Sequence, residues 1–123
     1  MTQIIRTLGN FLAYIPSYGG FSADPSSVTA RYVVIGKLCT VYVRAIAGTS
    51  NATTFTITLP IAAANTAIQG FAVIVTDNSI NAIGRFATRV NSTTVDIYPS
   101  ATATAWTNSG SKNCSFCITY ETI

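Results

Sequence analysis

Histidine is absent from this chain of 123 residues, and its carboxylates number four: Asp24, Asp77, Asp96 and Glu121. Without an imidazole the usual proton shuttle near neutral pH is missing, so a nucleophile–histidine–acid triad is excluded. A carboxylate pair can hydrolyse glycosides on its own. Here Asp24 and Asp77 fall in turn-forming stretches, while Asp96 and Glu121 alternate outward on expected strands. They read as turn residues, caps or ion-pair partners, and the chain is expected to be non-enzymatic and free of cofactors. Cysteine is scarce too: Cys39, Cys114 and Cys117 are an odd set, which speaks against a disulfide framework. The CSFC spacing at 114–117 would suit a metal knuckle, but on a strand residues three apart face opposite ways. No metal site is expected.

Charge is the next shortage. Only 9% of residues are charged, against about 25% in an ordinary soluble domain. The 7 basic residues outnumber the 4 acidic ones for a net charge of +3, but they are scattered and form no phosphate-tracking stripe. Nucleic acid is not an expected partner. Apolar runs such as FAVIV at 71–75 are far shorter than the roughly 20 residues that cross a bilayer, so no membrane insertion is expected. The opening MTQIIRTLGNFLAYIP lacks the charged leader and small-residue cleavage site of a secretion signal, which predicts a chain kept in the cytoplasm until assembly or lysis.

The hydrophobic content is 49%. With few charges to coat it, much of the surface must be Thr, Ser, Asn, Ala and aromatic, and subunit contacts are the expected remedy. The length suits one domain with one core.

From Arg31 onward, short alternating segments separated by turn residues predict an all-β fold, an antiparallel β-sandwich of jelly-roll type. KLCTVYVRAI places Cys39, Val41, Val43 and Ala45 on one side and Thr40, Tyr42 and Arg44 on the other. TSNATTFTITLP alternates Phe55, Ile57 and Leu59 with Thr54, Thr56 and Thr58, a threonine row expected to be partly occluded by a neighbouring subunit. GFAVIVT at 70–76 is apolar on both faces, so it is expected to be central and covered twice. IGRFATRV sets Phe86, Thr88 and Val90 against Arg85, Ala87 and Arg89; TTVDIYP hides Val95 and Ile97. The closing strand alternates Phe116, Ile118 and Tyr120 with Cys117, Thr119 and Glu121. Residues 21–123 form the sandwich domain on this reading, and 1–20 a lead-in or stalk remnant. Ile4, Leu8, Phe11 and Ile15 are spaced as on a short coiled-coil seam, while Gly9 and Pro16 oppose a helix, so the lead-in is either extended or helical.

Recognition remains as a function, and aromatic rings carry it because their faces stack on sugars. Trp106 lies in the loop SATATAWTNSGSK, where periodicity presents rather than buries it; the alternative is a core or subunit-seam residue. Tyr42 with Arg44, and Arg85 with Arg89, share outward faces and are candidate ligand-binding pairs, with subunit contact or surface ion pairing as the other reading. Tyr14 and Tyr18 are expected to pack the lead-in onto the sandwich.

The order of an aromatic and proline before GF, then ARY, IGK, TSNATTFTITLP and the TYE ending resembles a β-sandwich module at the ends of bacteriophage tail-fibre, head-fibre and other virion surface proteins. The likeness covers 14–121, with Tyr14 where Trp is expected and Cys39 where Val is more usual. It implies a non-enzymatic homotrimer on the virion surface, made in the bacterial host cytoplasm, that touches a host glycan or other receptor and neighbouring virion proteins. A purely structural decoration or trimerisation module is the alternative. The resemblance transfers no binding motif residue by residue.

Overall fold

The computed structural model describes residues 10–64 and 68–123. They form an antiparallel sheet of ten strands, without helix among the described residues. In chain order these are β1 (Leu12–Ala13), β2 (Tyr18–Gly19), β3 (Phe21–Ala23), β4 (Ser27–Ile35), β5 (Leu38–Ser50), β6 (Thr56–Thr58), β7 (Gln69–Asp77), β8 (Ile80–Thr88), β9 (Thr94–Tyr98) and β10 (Ser111–Glu121). Turn chemistry explains two of the hairpins. Gly36 takes φ 61 between β4 and β5, a conformation glycine adopts without a Cβ clash. Asn78 (φ 47) and Ser79 (φ 72) link β7 to β8, the paired left-handed residues of a type I′ turn.

The neighbour order is β1-β4-β5-β10-β7-β8-β9-β6-β2, with β3 also pairing β5. Laid flat, nine strands would separate β1 from β2 by about 38 Å at the usual strand spacing. Ala13 and Tyr18 are five residues apart in the chain, a reach of at most about 18 Å. The sheet must therefore curl until its two edges approach.

Its concave side is the core. Alternation turns Cys39, Val41 and Val43 of β5, Val73 and Val75 of β7, Val95 and Ile97 of β9, and Phe116, Ile118 and Tyr120 of β10 inward, where Phe55, Ile57 and Leu59 meet them. Cys114 is buried and Cys117 exposed, so the CSFC cysteines face opposite ways. Ala45 lies on a strand, but its side chain is outside the described set.

Two expectations are corrected and one open alternative is decided. β7 is central in the order, yet it is covered on one face: Val73 and Val75 are fully buried while Ile74 is 67% exposed. Val90 does not continue the inward series of Phe86 and Thr88, because β8 ends at Thr88 and Val90 stands in solvent. The described part of the lead-in is extended, with β1 pairing β4 and β2 pairing β6. Ile4 and Leu8 of the expected seam, and Gly9 between them and Phe11, lie outside the described residues, while Phe11 and Ile15 are 55% and 95% exposed.

Tyr14 and Tyr18 tie this lead-in down. The Tyr14 ring meets Tyr32 edge-on at 5.8 Å between centroids, and Tyr18 meets Phe21 at 6.0 Å. Their hydroxyls are buried without a hydrogen-bond partner among the described residues. Burial pushes the Tyr18 phenol up to about 12 and raises Tyr14 and Tyr120 further, while Cys39 and Cys114 are raised by the same cause. Because these acids ionise more readily in the unfolded chain, stability is full below their ordinary values and falls as pH rises past them. Lys112 acts oppositely, since burial lowers its pKa, but one ammonium stands against three phenols and two thiols. Thermal melts are expected to shift downward between about pH 8 and about pH 11, both conditions chosen around the ordinary thiol and phenol values.

Candidate functional site

The five candidate residues do not converge. Tyr42 and Arg44 lie on the outer face of β5, exposed as alternation requires. Tyr42 is the Cα partner of Arg31 on β4, and with Phe11, Thr29 and Arg31 it rims a shallow depression of about 170 Å³. Arg85 lies on β8, three strands away in the sheet order, and Arg89 follows the end of that strand.

Trp106 belongs to neither place. It is 2% exposed, and its indole N–H donates to the Ile97 carbonyl at 2.7 Å. Its ring packs on Phe55 at 5.3 Å between centroids. The expectation of a presented ring is corrected: a buried indole with its one donor satisfied is a core residue, and its face is closed to a sugar.

What encloses Trp106 is a residue that the sequence reading passed over. Lys112 is 0% exposed, and its ammonium donates to the carbonyls of Gly20 (3.1 Å), Ala52 (2.8 Å) and Thr54 (2.9 Å). It also lies 5.2 Å from the Phe21 ring centroid and 5.4 Å from that of Trp106, within cation–π range. One side chain thus joins the β2–β3 turn, the β5–β6 loop and the 99–110 loop. Burial lowers its pKa, with Asp77 opposing. The signal was available: counting back by two from Cys114 in the inward series of β10 arrives at Lys112.

The 99–110 loop is itself tied down. Asp77 accepts from the Thr107 amide at 3.0 Å and from its hydroxyl at 3.2 Å, and Ser100 Oγ accepts from the Thr104 amide at 3.2 Å. The Trp106 amide donates to the Thr53 carbonyl at 3.0 Å. A cleft of about 280 Å³ is lined by residues of this loop, Ala103 and Thr104 among them, together with Thr53, Thr54, Asp96 and Tyr98.

This cleft sits on the face that carries the threonine row. Pairing sets Thr56 beside Asp96 and Asp96 beside Ala87, Thr58 beside Thr94, and Tyr98 beside Arg85. Thr56 and Thr58 are half-buried by their own chain: the Ser17 amide donates to Thr58 Oγ1 at 2.8 Å, and Gly19 pairs with Thr56. Thr54, at the cleft, is exposed.

The two arginines here differ in state. Arg89 grips Asp96 with two bonds, Nε to Oδ2 at 2.8 Å and Nη2 to Oδ1 at 2.7 Å, which raises the guanidinium pKa. Arg85 stacks over Tyr98 with Cζ 5.3 Å from the ring centroid. Among the described residues no group of three or more His, Cys, Asp or Glu side chains is placed to hold a metal ion, and no helix is long and apolar enough to cross a membrane. Comparison with protein-family models, curated proteins and solved structures found no match.

Proposed function

We propose that this chain is a non-enzymatic recognition domain that assembles into a homotrimer on a bacteriophage virion and binds a host-surface glycan at the β6–β9–β8 face. The curled sheet, on this reading, is a jelly-roll-like sandwich, with β4, β5, β10 and β7 as one leaf and β8, β9 and β6 as the other. One observation carries the glycan assignment: the cleft at the 99–110 loop, which offers the hydroxyls of Thr53, Thr54 and Thr104 beside Tyr98 and Asp96. Rigid hydroxyls and one aromatic wall suit a polyol, because sugar hydroxyls exchange water for such partners while the ring face packs. The carboxylate in the cleft is bonded through both oxygens to Arg89, which supports binding rather than acid–base chemistry.

Assembly is supported by the uncovered side of β7. Ile74 and Ile83 are Cα partners, 67% and 68% exposed, and Ser115 and Arg44 continue their row. Adjacent exposed isoleucines are expensive in water, and further copies of the chain remove them from it. Three weak glycan sites on one head would then act together.

The test has two arms. Light scattering is expected to give a mass three times that of the 13.0 kDa chain, and Ile74→Asp with Ile83→Asp is expected to reduce it to a protomer. Titration with fragments of host envelope polysaccharide is expected to show binding that Tyr98→Ala weakens by about tenfold, the loss of about 1.4 kcal/mol. A stable protomer at high concentration would overturn the assembly. A trimer that binds no envelope fragment would leave the decoration role in its place.

A further inference from the structure

We infer that the glycan bound at this face carries an anionic substituent, a carboxylate or a phosphate, and that Arg85 on its Tyr98 platform is the group that recognises it. The inference rests on the glycan reading above and deepens it.

Arg85 and Tyr98 are Cα partners on β8 and β9, and Tyr98 lines the cleft, so Arg85 adjoins a cleft residue without lining the cleft itself. Its charge has no salt-bridge partner among the described residues. Among the described residues the ion pair on this face is Arg89 with Asp96, and both Asp96 oxygens are engaged by Arg89. Arg85 has no hydrogen bond to a described residue, and its Nε is buried without an acceptor. Half-burial removes part of its water, while no carboxylate of the described residues pairs with it.

The geometry suits an incoming anion. The guanidinium carbon lies 5.3 Å from the Tyr98 ring centroid, within cation–π range, and a guanidinium carries a planar fork of donors that matches carboxylate or phosphate oxygens. The neighbouring Asp96 would repel an anion if it were free. Arg89 cancels that charge, and the combined field of Arg85, Arg89 and Asp96 is positive. The cleft hydroxyls of Thr54 and Thr104 then take the uncharged part of the sugar.

Calorimetric titration of the full chain with three oligosaccharides of matched length tests this: a galacturonate oligomer, a glycerol-phosphate oligomer and a neutral glucan. At least one acidic oligomer is expected to bind tenfold or more tightly than the glucan, with affinity falling as salt rises from about 50 to about 300 mM. Which acidic oligomer binds decides between carboxylate and phosphate. Arg85→Gln is expected to abolish the preference while leaving any glucan binding and the melting temperature unchanged. Should Arg85→Gln unfold, Arg85→Lys keeps the charge without the planar fork and is expected to lose most of the preference with the fold intact. Equal binding of acidic and neutral oligomers, or an Arg85→Gln variant that keeps the preference, overturns the inference and leaves the glycan reading standing. Failure of all three oligomers in a sample that binds envelope fragments also overturns it, whereas failure with those fragments as well removes the glycan reading beneath it.

Discussion

Lys112→Met is expected to destabilise the fold by about 1–3 kcal/mol, the cost of one buried acceptor left without a donor. Methionine matches the length of the lysine stem and is at home in a core, so the change removes the ammonium with little change in volume. In many proteins exchanging a buried charge for an apolar group is neutral, because the desolvation cost of the charge disappears with it. That outcome requires the partner groups to be replaced as well. Here the partners are the backbone carbonyls of Gly20, Ala52 and Thr54, which no side-chain substitution removes. The Gly20 and Ala52 carbonyls keep the Asn51 amide (3.2 Å) and the Ser50 hydroxyl (3.1 Å) as donors, so Thr54 is the acceptor that loses its one donor among the described residues. A domain of this kind has only about 5–15 kcal/mol of stability in total, so the midpoint of a urea transition should fall sharply. Amide exchange should also accelerate in the β5–β6 loop, which the ammonium anchors, before it does so in β10. An unchanged midpoint would show that water replaces the ammonium.

Trp106→Ala is expected to cost about 3–5 kcal/mol, the range for emptying the site of a buried large aromatic side chain. Two losses combine: the packing of the indole on Phe55 and the donor to the Ile97 carbonyl. Trp106→Phe keeps a ring but not the N–H, and separates them, with about 1–3 kcal/mol expected for the orphaned carbonyl. Trp106 is the one tryptophan in the chain. Native emission should therefore be blue-shifted and should move to the red on denaturation, while the variants are followed by circular dichroism. Since Lys112 lies over the same ring, the double variant should be less damaging than the sum of its parts, with a coupling of about 0.5–3 kcal/mol. Full additivity would show that ammonium and indole do not interact. Loss of glycan binding in Trp106→Ala would report a damaged fold rather than a lost contact.

Much of the secondary structure was legible because a strand has period two. The series Val41 and Val43, Val95 and Ile97, and Phe116, Ile118 and Tyr120 are all buried. The same rule sends Tyr42, Arg44 and Thr119 outward, where they are exposed. The turn residues at 36 and 78–79 were legible for a related reason, since only small or locally bonding residues accept a left-handed backbone. The errors have a common origin. Trp106 was read, and Lys112 passed over, in a Ser/Thr/Asn-rich stretch, which signals a loop but says nothing about what the loop covers. Ile74 was read as twice covered because its strand is apolar on both faces, and a single chain does not supply the second layer.

The sequence alone determined the period, and with it which residues share a face, where the chain reverses and which chemistries its side chains exclude. Only the tertiary structure decided which faces meet. The curl that brings β1 and β2 together, the cage of carbonyls around Lys112, and the separation of Tyr42 and Arg44 from Arg85 and Arg89 all depend on pairing across long sequence distances. Local periodicity holds no information about such pairings, because the free energy that selects them comes from burying one face against another and from satisfying every buried polar group at once.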